Sequence, residues 1–567
     1  MNRSTISRSL TDILNKLSSK RALKYAMYLS AVIVFFAFIL FPPILGIIVK
    51  WTAIQQVFDK PELMNQALTA IGNSFAIAFI VSIFDIIAGV PMAWLIARGK
   101  SRWLSVLDTF ADIPFIVPTA ALGYSLLLFW SGPTGISGLF GGSLVSPGWL
   151  LIILLHFTFS YPVVVRVMVG ALLDYKMEYE RASRTLGAVP FVAFRTVTSP
   201  ILKPSIIAAF ILSFARSLSE TGATFIVAGL FENGPVFLQN IKNNFASGLV
   251  TQATYEGATV FASVILIVLS CTIFALIRIF GPKLKLPFKG IFPSAERPLS
   301  YSKAAFSRNT ITIVVFFLVV LIPAMFVAIP AFQAMFTPTF TDALSSSGVW
   351  SGYWQSLLLS YGLGAIVTLL GFIIGLPMAI LIARRKLGKS TSALLDILVN
   401  IPLIVPSIAL GVSLNFFWRG SFPFIPELLV LIFAHLSITY PYFVRSMSAA
   451  FERIGIDVEE AARTLGAKPF SVFSSIVLPL TKYSILSGAI MVFTRSVSET
   501  GATVAVVSHL QTAPVVIVDW VRILQNSSLP NPGVTPLVVG LGCGFLILFS
   551  FLILFALRMI TRGKGRY

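Results

Sequence analysis

The chain has 567 residues, 56% of them hydrophobic and 11% charged, with a net charge of +20 and a mean hydropathy of +0.90. One aqueous domain cannot bury so many apolar side chains, so a soluble protein is excluded and a polytopic membrane protein is described. Two cysteines, Cys271 and Cys543, lie inside apolar runs and three histidines are scattered; they exclude a disulfide framework and offer no metal-ligand spacing, so the cysteines read as packing residues.

In chain order, residues 1–24 carry Arg3, Arg8, Lys16, Lys20, Arg21 and Lys24 and form a basic, weakly amphipathic segment expected to lie along the cytoplasmic membrane surface. A first transmembrane domain occupies 25–280. Its apolar runs are 25–51, 71–97, 107–130, 149–173, a span beginning near Ile201, and 257–280. The first run is too long for a signal-peptide core and is kept as a true span. Residues 281–309 break the pattern with Pro282, Pro287, Pro293, Pro298 and several lysines, which predicts a cytoplasmic linker without stable helix. A second transmembrane domain, 310–558, has runs at 310–336, 355–383, 391–418, 427–450, 482–497 and 534–557, and 559–567 is a basic cytoplasmic tail. The fold class is therefore all-α, with about twelve transmembrane helices.

The positive charge sits in every other loop: before residue 25, around Arg98, from Lys176 to Lys203, from Arg278 to Arg308, around Arg384, from Arg453 to Lys482, and after Arg558. This alternation is the positive-inside rule and predicts that both termini are cytoplasmic. It also removes nucleic acid as a partner, because no basic and aromatic recognition surface accompanies the charge.

The sequence is duplicated. Gly89 to Arg98 matches Gly375 to Arg384, Asp112-Ile-Pro114-Phe-Ile-Val-Pro118 matches Asn400-Ile-Pro402-Leu-Ile-Val-Pro406, and His156 with Tyr161 and Arg166 matches His435 with Tyr440 and Arg445. A polar island also occurs twice, as Glu180-Arg181-Ala182 with Gly187 and Pro190, and as Glu459-Glu460-Ala461-Ala462 with Gly466 and Pro469. Glycine ends one helix and proline opens the next, so each island is an elbow of helix, sharp turn and helix. An even number of spans per half gives parallel repeats that pair about an axis normal to the membrane.

Glu460-Ala461-Ala462, three residues, Gly466, nine residues and Ile476-Val-Leu478-Pro479 resemble the EAA loop of the permease subunits of binding-protein-dependent ABC importers. The first copy departs from that pattern, with Arg181 where the family has glutamate and Ser199 where it has leucine. The resemblance implies two permease units fused in one chain, each with a cytoplasmic coupling helix. It further implies two copies of a separate ATPase, with ATP and magnesium bound there and no cofactor on this chain, and an extracytoplasmic solute-binding protein. The setting would be a prokaryotic plasma (inner) membrane, with lipid as the remaining partner.

Two features inside the spans carry transport chemistry or packing. Pro114 and Pro118, with Pro402 and Pro406, interrupt the third span of each half, as a packing kink or as a gate element. Arg216 and Glu220 before Gly222, and Arg495 and Glu499 before Gly501, place charges four apart, on one helix face at apolar depth. Either salt bridges brace the helices there or the four charges line a pathway. This second segment resembles the oxyanion permeases for molybdate, tungstate and sulfate, while fusion into one chain resembles the ferric-iron and thiamine branches. No catalytic residue set appears. Gly99-Lys100-Ser101 and Gly388-Lys389-Ser390 lack the earlier glycine of a phosphate-binding loop, so this chain reads as a transport subunit and not an enzyme. An ion-gradient-driven secondary transporter with twelve spans is the competing class, but it leaves the duplicated elbow unexplained.

Overall fold

The computed structural model describes residues 12–99, 101, 103–283, 293–526 and 529–562. Among them all regular structure is helical. Ten helices are long and apolar enough to cross a membrane, or twelve if each of two bent pairs counts as one span.

Ten elements in the first half have ten counterparts in the second. In the first half they are α1 (Arg21–Val49), α2 (Pro61–Arg98), α3 (Val106–Ile116), α4 (Thr119–Trp130), α5 (Trp149–Asp174), α6 (Met177–Thr185), α7 (Pro190–Ser219), α8 (Gly222–Val227), α9 (Gly234–Ala246) and α10 (Gln252–Phe280). The second half repeats them as α11 (Ser302–Ala334), α12 (Trp350–Ala383), α13 (Lys389–Ile404), α14 (Ser407–Ser421), α15 (Glu427–Arg453), α16 (Ile456–Thr464), α17 (Pro469–Val497), α18 (Gly501–Val506), α19 (Ala513–Gln525) and α20 (Pro536–Arg562).

The third spans are broken where the prolines stand. A residue before proline is pushed to extended backbone; Val117 has ψ 122° and Val405 has ψ 132°. The chain therefore turns by 106° between α3 and α4 and by 103° between α13 and α14. Pro114 and Pro402 instead sit in the first turn of a short helical stretch, where their missing N–H costs nothing.

The first spans are exchanged between the halves. Both contain a π-helical turn, Phe35–Leu40 and Phe316–Leu321, which frees backbone carbonyls that a membrane interior cannot solvate. Side chains of the opposite half satisfy them: Ser437 donates to the Phe38 carbonyl at 3.3 Å, and Thr158 to the Val319 carbonyl at 3.0 Å. Phe35 stacks on Tyr440 and Phe316 on Tyr161 in the same reciprocal manner. Both apolar cores consequently draw side chains from both halves.

The exchange continues into the polar segments ahead of these spans. Residues 12–19 are helical, and Asn15 and Ser18 accept hydrogen bonds from the Ser471 and Phe470 N–H groups at 3.0 and 3.2 Å. These donors open α17 and have no partner within their own helix. On the other side, Ser300 accepts from Phe191 N–H at 3.1 Å and Glu296 pairs with Arg195 at 2.9 Å. Two expectations change accordingly. The basic N-terminal segment docks, over its described part, on the second elbow; residues 1–11 lie outside the described residues. The proline-rich linker is helical over Pro293–Leu299 despite Pro298, and Ser300, just after it, caps α7; residues 284–292 lie outside the described residues, as do Lys100 and the end of the tail, 563–567. The spans placed near Ile201 and 482–497 begin earlier, at Pro190 and Pro469, since each elbow's second helix runs continuously into its span.

Candidate functional site

Two places concentrate polar chemistry: the elbows at one end of the bundle and a constriction where the halves meet. At the elbows, α6 and α16 are nine-residue helices. Each ends in a paired turn. Gly187 N–H bonds to the Arg184 carbonyl and Ala188 N–H to that of Ser183, while Gly466 and Ala467 do the same to Arg463 and Ala462. This closure needs a left-handed residue, and Gly187 and Gly466 have φ +94° and +86°.

The turn divides the elbow residues into two sets. Glu180 and Glu459 face inward. Glu459 pairs with Arg384, at the end of α12, at 2.6 Å, and Arg384 also donates to the Ile454 carbonyl at 3.0 Å. In the first half Arg98 reaches the Tyr175 carbonyl at 3.5 Å and lies over the Tyr175 ring, while the buried Glu180 has an Oε2 with no hydrogen-bond partner. Arg181, Ala182, Glu460 and Ala461 face outward, with Ala462 half-buried. The most exposed apolar groups of the elbows are Leu186 and Leu465, each 89% exposed. Sequence reading passed over these leucines as part of the helix-closing turn. Their signal is an apolar residue immediately before the turn glycine in an otherwise charged island.

At the constriction, α7 ends at Ser219 and α17 at Val497, so Glu220 and Glu499 fall just beyond their helices. The expected pairing of Arg and Glu four apart forms in one half only. Arg495 pairs with Glu499 at 2.6 Å, whereas among the described residues Arg216 makes no ion pair and its Nε has no hydrogen-bond partner. The two glutamates nevertheless act alike on the backbone. Glu220 accepts from Ala223 N–H at 2.9 Å and Glu499 from Ala502 N–H at 3.0 Å. Each thereby satisfies an orphan donor at the start of α8 or α18.

The starts of α8 and α18 meet at the pseudo-twofold axis. A Cβ on Gly222 would lie 2.4 Å from Thr500 Oγ1, and one on Gly501 2.7 Å from Thr221 Cβ and 2.6 Å from Ser407 Oγ. Thr119 of α4 donates to the Ser498 carbonyl of the other half at 3.0 Å, and Ser407 of α14 reaches the Ser219 carbonyl at 3.5 Å. The extended residues before Pro118 and Pro406 bring these hydroxyls to the axis, so the proline breaks are part of the closure. Pro114 and Pro402 lie a turn earlier and do not line it. The space between these groups has no room for a water molecule, which takes about 10–15 Å³. The constriction is shut.

A second feature was not legible as functional. His156 bridges Ser217 at 2.9 Å and Thr224 at 2.8 Å, and His435 bridges Ser496 and Thr503, both at 2.9 Å. Each buried imidazole spans the break between the long and the short helix and fixes its angle. Asp108 and Asp112 are clamped by Arg166 at 2.6 Å each, whereas Arg445 is 3.5 Å from Asn400. Asp85 is buried and receives hydrogen bonds from Ser160 and, at 2.6 Å, from Ser213.

The sequence profile of the binding-protein-dependent transport system inner membrane component matches this chain twice, over residues 86–286 and 371–563. The chain belongs to that family. Both matches include an elbow, a bent third span and one side of the constriction, while the exchanged first spans lie outside them. Among its relatives, the sulfate transport system permease protein CysT of Salmonella typhimurium is 34% identical over 225 residues, covering 37% of this chain and 78% of that protein. The molybdenum transport system permease protein ModB of Escherichia coli is 31% identical over 180 residues, 28% of this chain and 73% of its own length. The molybdate/tungstate transport system permease protein WtpB of Methanocaldococcus jannaschii is 27% identical over 251 residues, 43% and 94% respectively. This protein is therefore two permease units in one polypeptide, a multi-pass inner membrane subunit that is not itself catalytic. Binding-protein-dependent transport implies an ATPase, where ATP is hydrolysed, and a solute-binding protein. Membership removes the ion-gradient transporter as the competing class.

Proposed function

We propose that this permease carries a tetrahedral oxyanion of the sulfate and molybdate class across the membrane. The observation that supports it most is the similarity to sulfate and molybdate permeases, joined by two arginines, Arg216 and Arg495, near the shut constriction. None of the relatives named above is an iron or thiamine permease, and the fused architecture alone does not favour those substrates.

The elbows face the cytoplasm in this reading, with both termini on the same side, as the charge alternation requires. Two ATPase copies seat on Leu186 and Leu465, with Arg181 and Glu460 beside them. When the ATPase dimer closes on ATP it draws the elbows together. Arg384 with Glu459, and Arg98 with the Tyr175 carbonyl, pass that movement to the second span of each half. The starts of α8 and α18 then part, and release of the ATPase returns them to contact. Uptake of radiolabelled sulfate, molybdate and tungstate into proteoliposomes holding the permease, its ATPase and its binding protein tests the substrate. ATP-dependent uptake of one of the three is expected; ATP-driven uptake of ferric iron or thiamine with none of the three contradicts it.

A further inference from the structure

The two arginines near the constriction differ in how their charge is balanced. Arg495 has Glu499 at 2.6 Å, and Glu220 of the other half also acts on it. Among the described residues Arg216 makes no ion pair; Glu220 acts on it as well, but from beyond ion-pair distance. Arg216 lies over the Phe159 ring at 3.9 Å and the Phe115 ring at 5.0 Å. Aromatic faces hold a guanidinium by their quadrupole without cancelling its charge. The corresponding second-half positions are Ile438 and Leu403, which cannot do this. Conversely Tyr442, which interacts with both guanidinium groups, has Val163 as its counterpart. The halves have diverged so that one arginine is held in a close ion pair and the other is held between aromatic rings.

We propose that Arg216 is a transient anion-binding station on the permeation path, its planar fork taking two oxygens of the oxyanion as it passes the constriction, with no equivalent station in the second half. The proposal rests on the oxyanion reading above. A guanidinium matches two oxygens of a tetrahedral anion in a way an ammonium cannot. The aromatic cradle fixes the side chain while leaving its charge for the passing ion. Arg495, already paired, serves instead to hold the end of α17 to Glu499. Arg495 borders the closed constriction and Arg216 does not; Arg216 shares Tyr442 with Arg495 and is half-buried, so it comes within reach of an ion only once the starts of α8 and α18 part.

The test uses the complete transporter in proteoliposomes with radiolabelled sulfate and molybdate, comparing wild type, Arg216→Gln, Arg216→Lys and Arg495→Gln. In Arg216→Gln, uptake is expected to fall about tenfold or more while ATP hydrolysis stimulated by the binding protein continues, so that ATP consumed per ion delivered rises by the same factor. Arg216→Lys, with charge but no fork, falls between. Arg495→Gln lowers uptake and hydrolysis together, leaving their ratio near wild type. If Arg216→Gln also lowers both together, the residue only braces the fold and the proposal is overturned. Wild-type uptake by Arg216→Gln overturns it as well. Failure of the wild type itself to take up either oxyanion would instead count against the substrate reading.

Discussion

Changing Leu186 and Leu465 together to aspartate strips the ATPase from the permease and leaves the membrane part folded. Both leucines are 89% exposed, so they contribute nothing to the permease's own core and their loss does not disturb it. Burying a leucine at an interface contributes about 1.5–3 kcal/mol. Losing two of them, and placing a carboxylate at each contact, weakens association by roughly two to four decades or more. Co-purification of the ATPase and ATP-dependent uptake are the readouts, with the thermal stability of the isolated permease as control. Arg181→Ala with Glu460→Ala removes only rim charges and has a smaller effect. An aspartate double variant that still carries its ATPase and transports normally would remove these leucines from the coupling account.

Gly222→Ala with Gly501→Ala forces the constriction apart. Each added Cβ meets side chains of the opposite half at 2.4–2.8 Å, closer than packed atoms tolerate. Overpacking of this kind costs about 1–3 kcal/mol. That is sufficient to shift a two-state equilibrium by about five- to 150-fold. The population moves away from the closed contact, so uptake falls at least about fivefold and ATP hydrolysis without the binding protein rises. Gly352→Ala and Gly362→Ala in α12 are the controls, since a Cβ there meets nothing within 4 Å. Wild-type uptake and unstimulated hydrolysis in the double variant would show that the contact between α8 and α18 does not gate the path.

What the sequence disclosed here is mostly local. The elbows were legible because glycine at a helix end and proline at a helix start are short-range signals, and duplication showed each signal twice. The bends of the third spans followed from Pro118 and Pro406 for the same reason. The first-span exchange was not legible: Phe35 and Phe316 look like any lipid-facing phenylalanine until Tyr440 and Tyr161 are found opposite them. Nor could spacing show that α7 stops at Ser219. Both glutamates lie beyond their helix ends, so the four-residue interval no longer fixes a shared face, and it yields an ion pair at Arg495 but none at Arg216. His156 and His435 stood out as a matched pair, but what they hold together appears only when both breaks are seen. The serine and threonine partners lie about 60 to 70 residues downstream.

In the proposed reading one chain presents two coupling elbows and so completes a transporter without a second permease subunit. The intact complex, extracted from its native membrane and weighed by native mass spectrometry, tests it most directly. The account predicts one copy of this chain with two copies of the ATPase, falling to one copy when either leucine, Leu186 or Leu465, is changed alone to aspartate. A complex holding two copies of this chain, or a single ATPase on the unaltered permease, would contradict it.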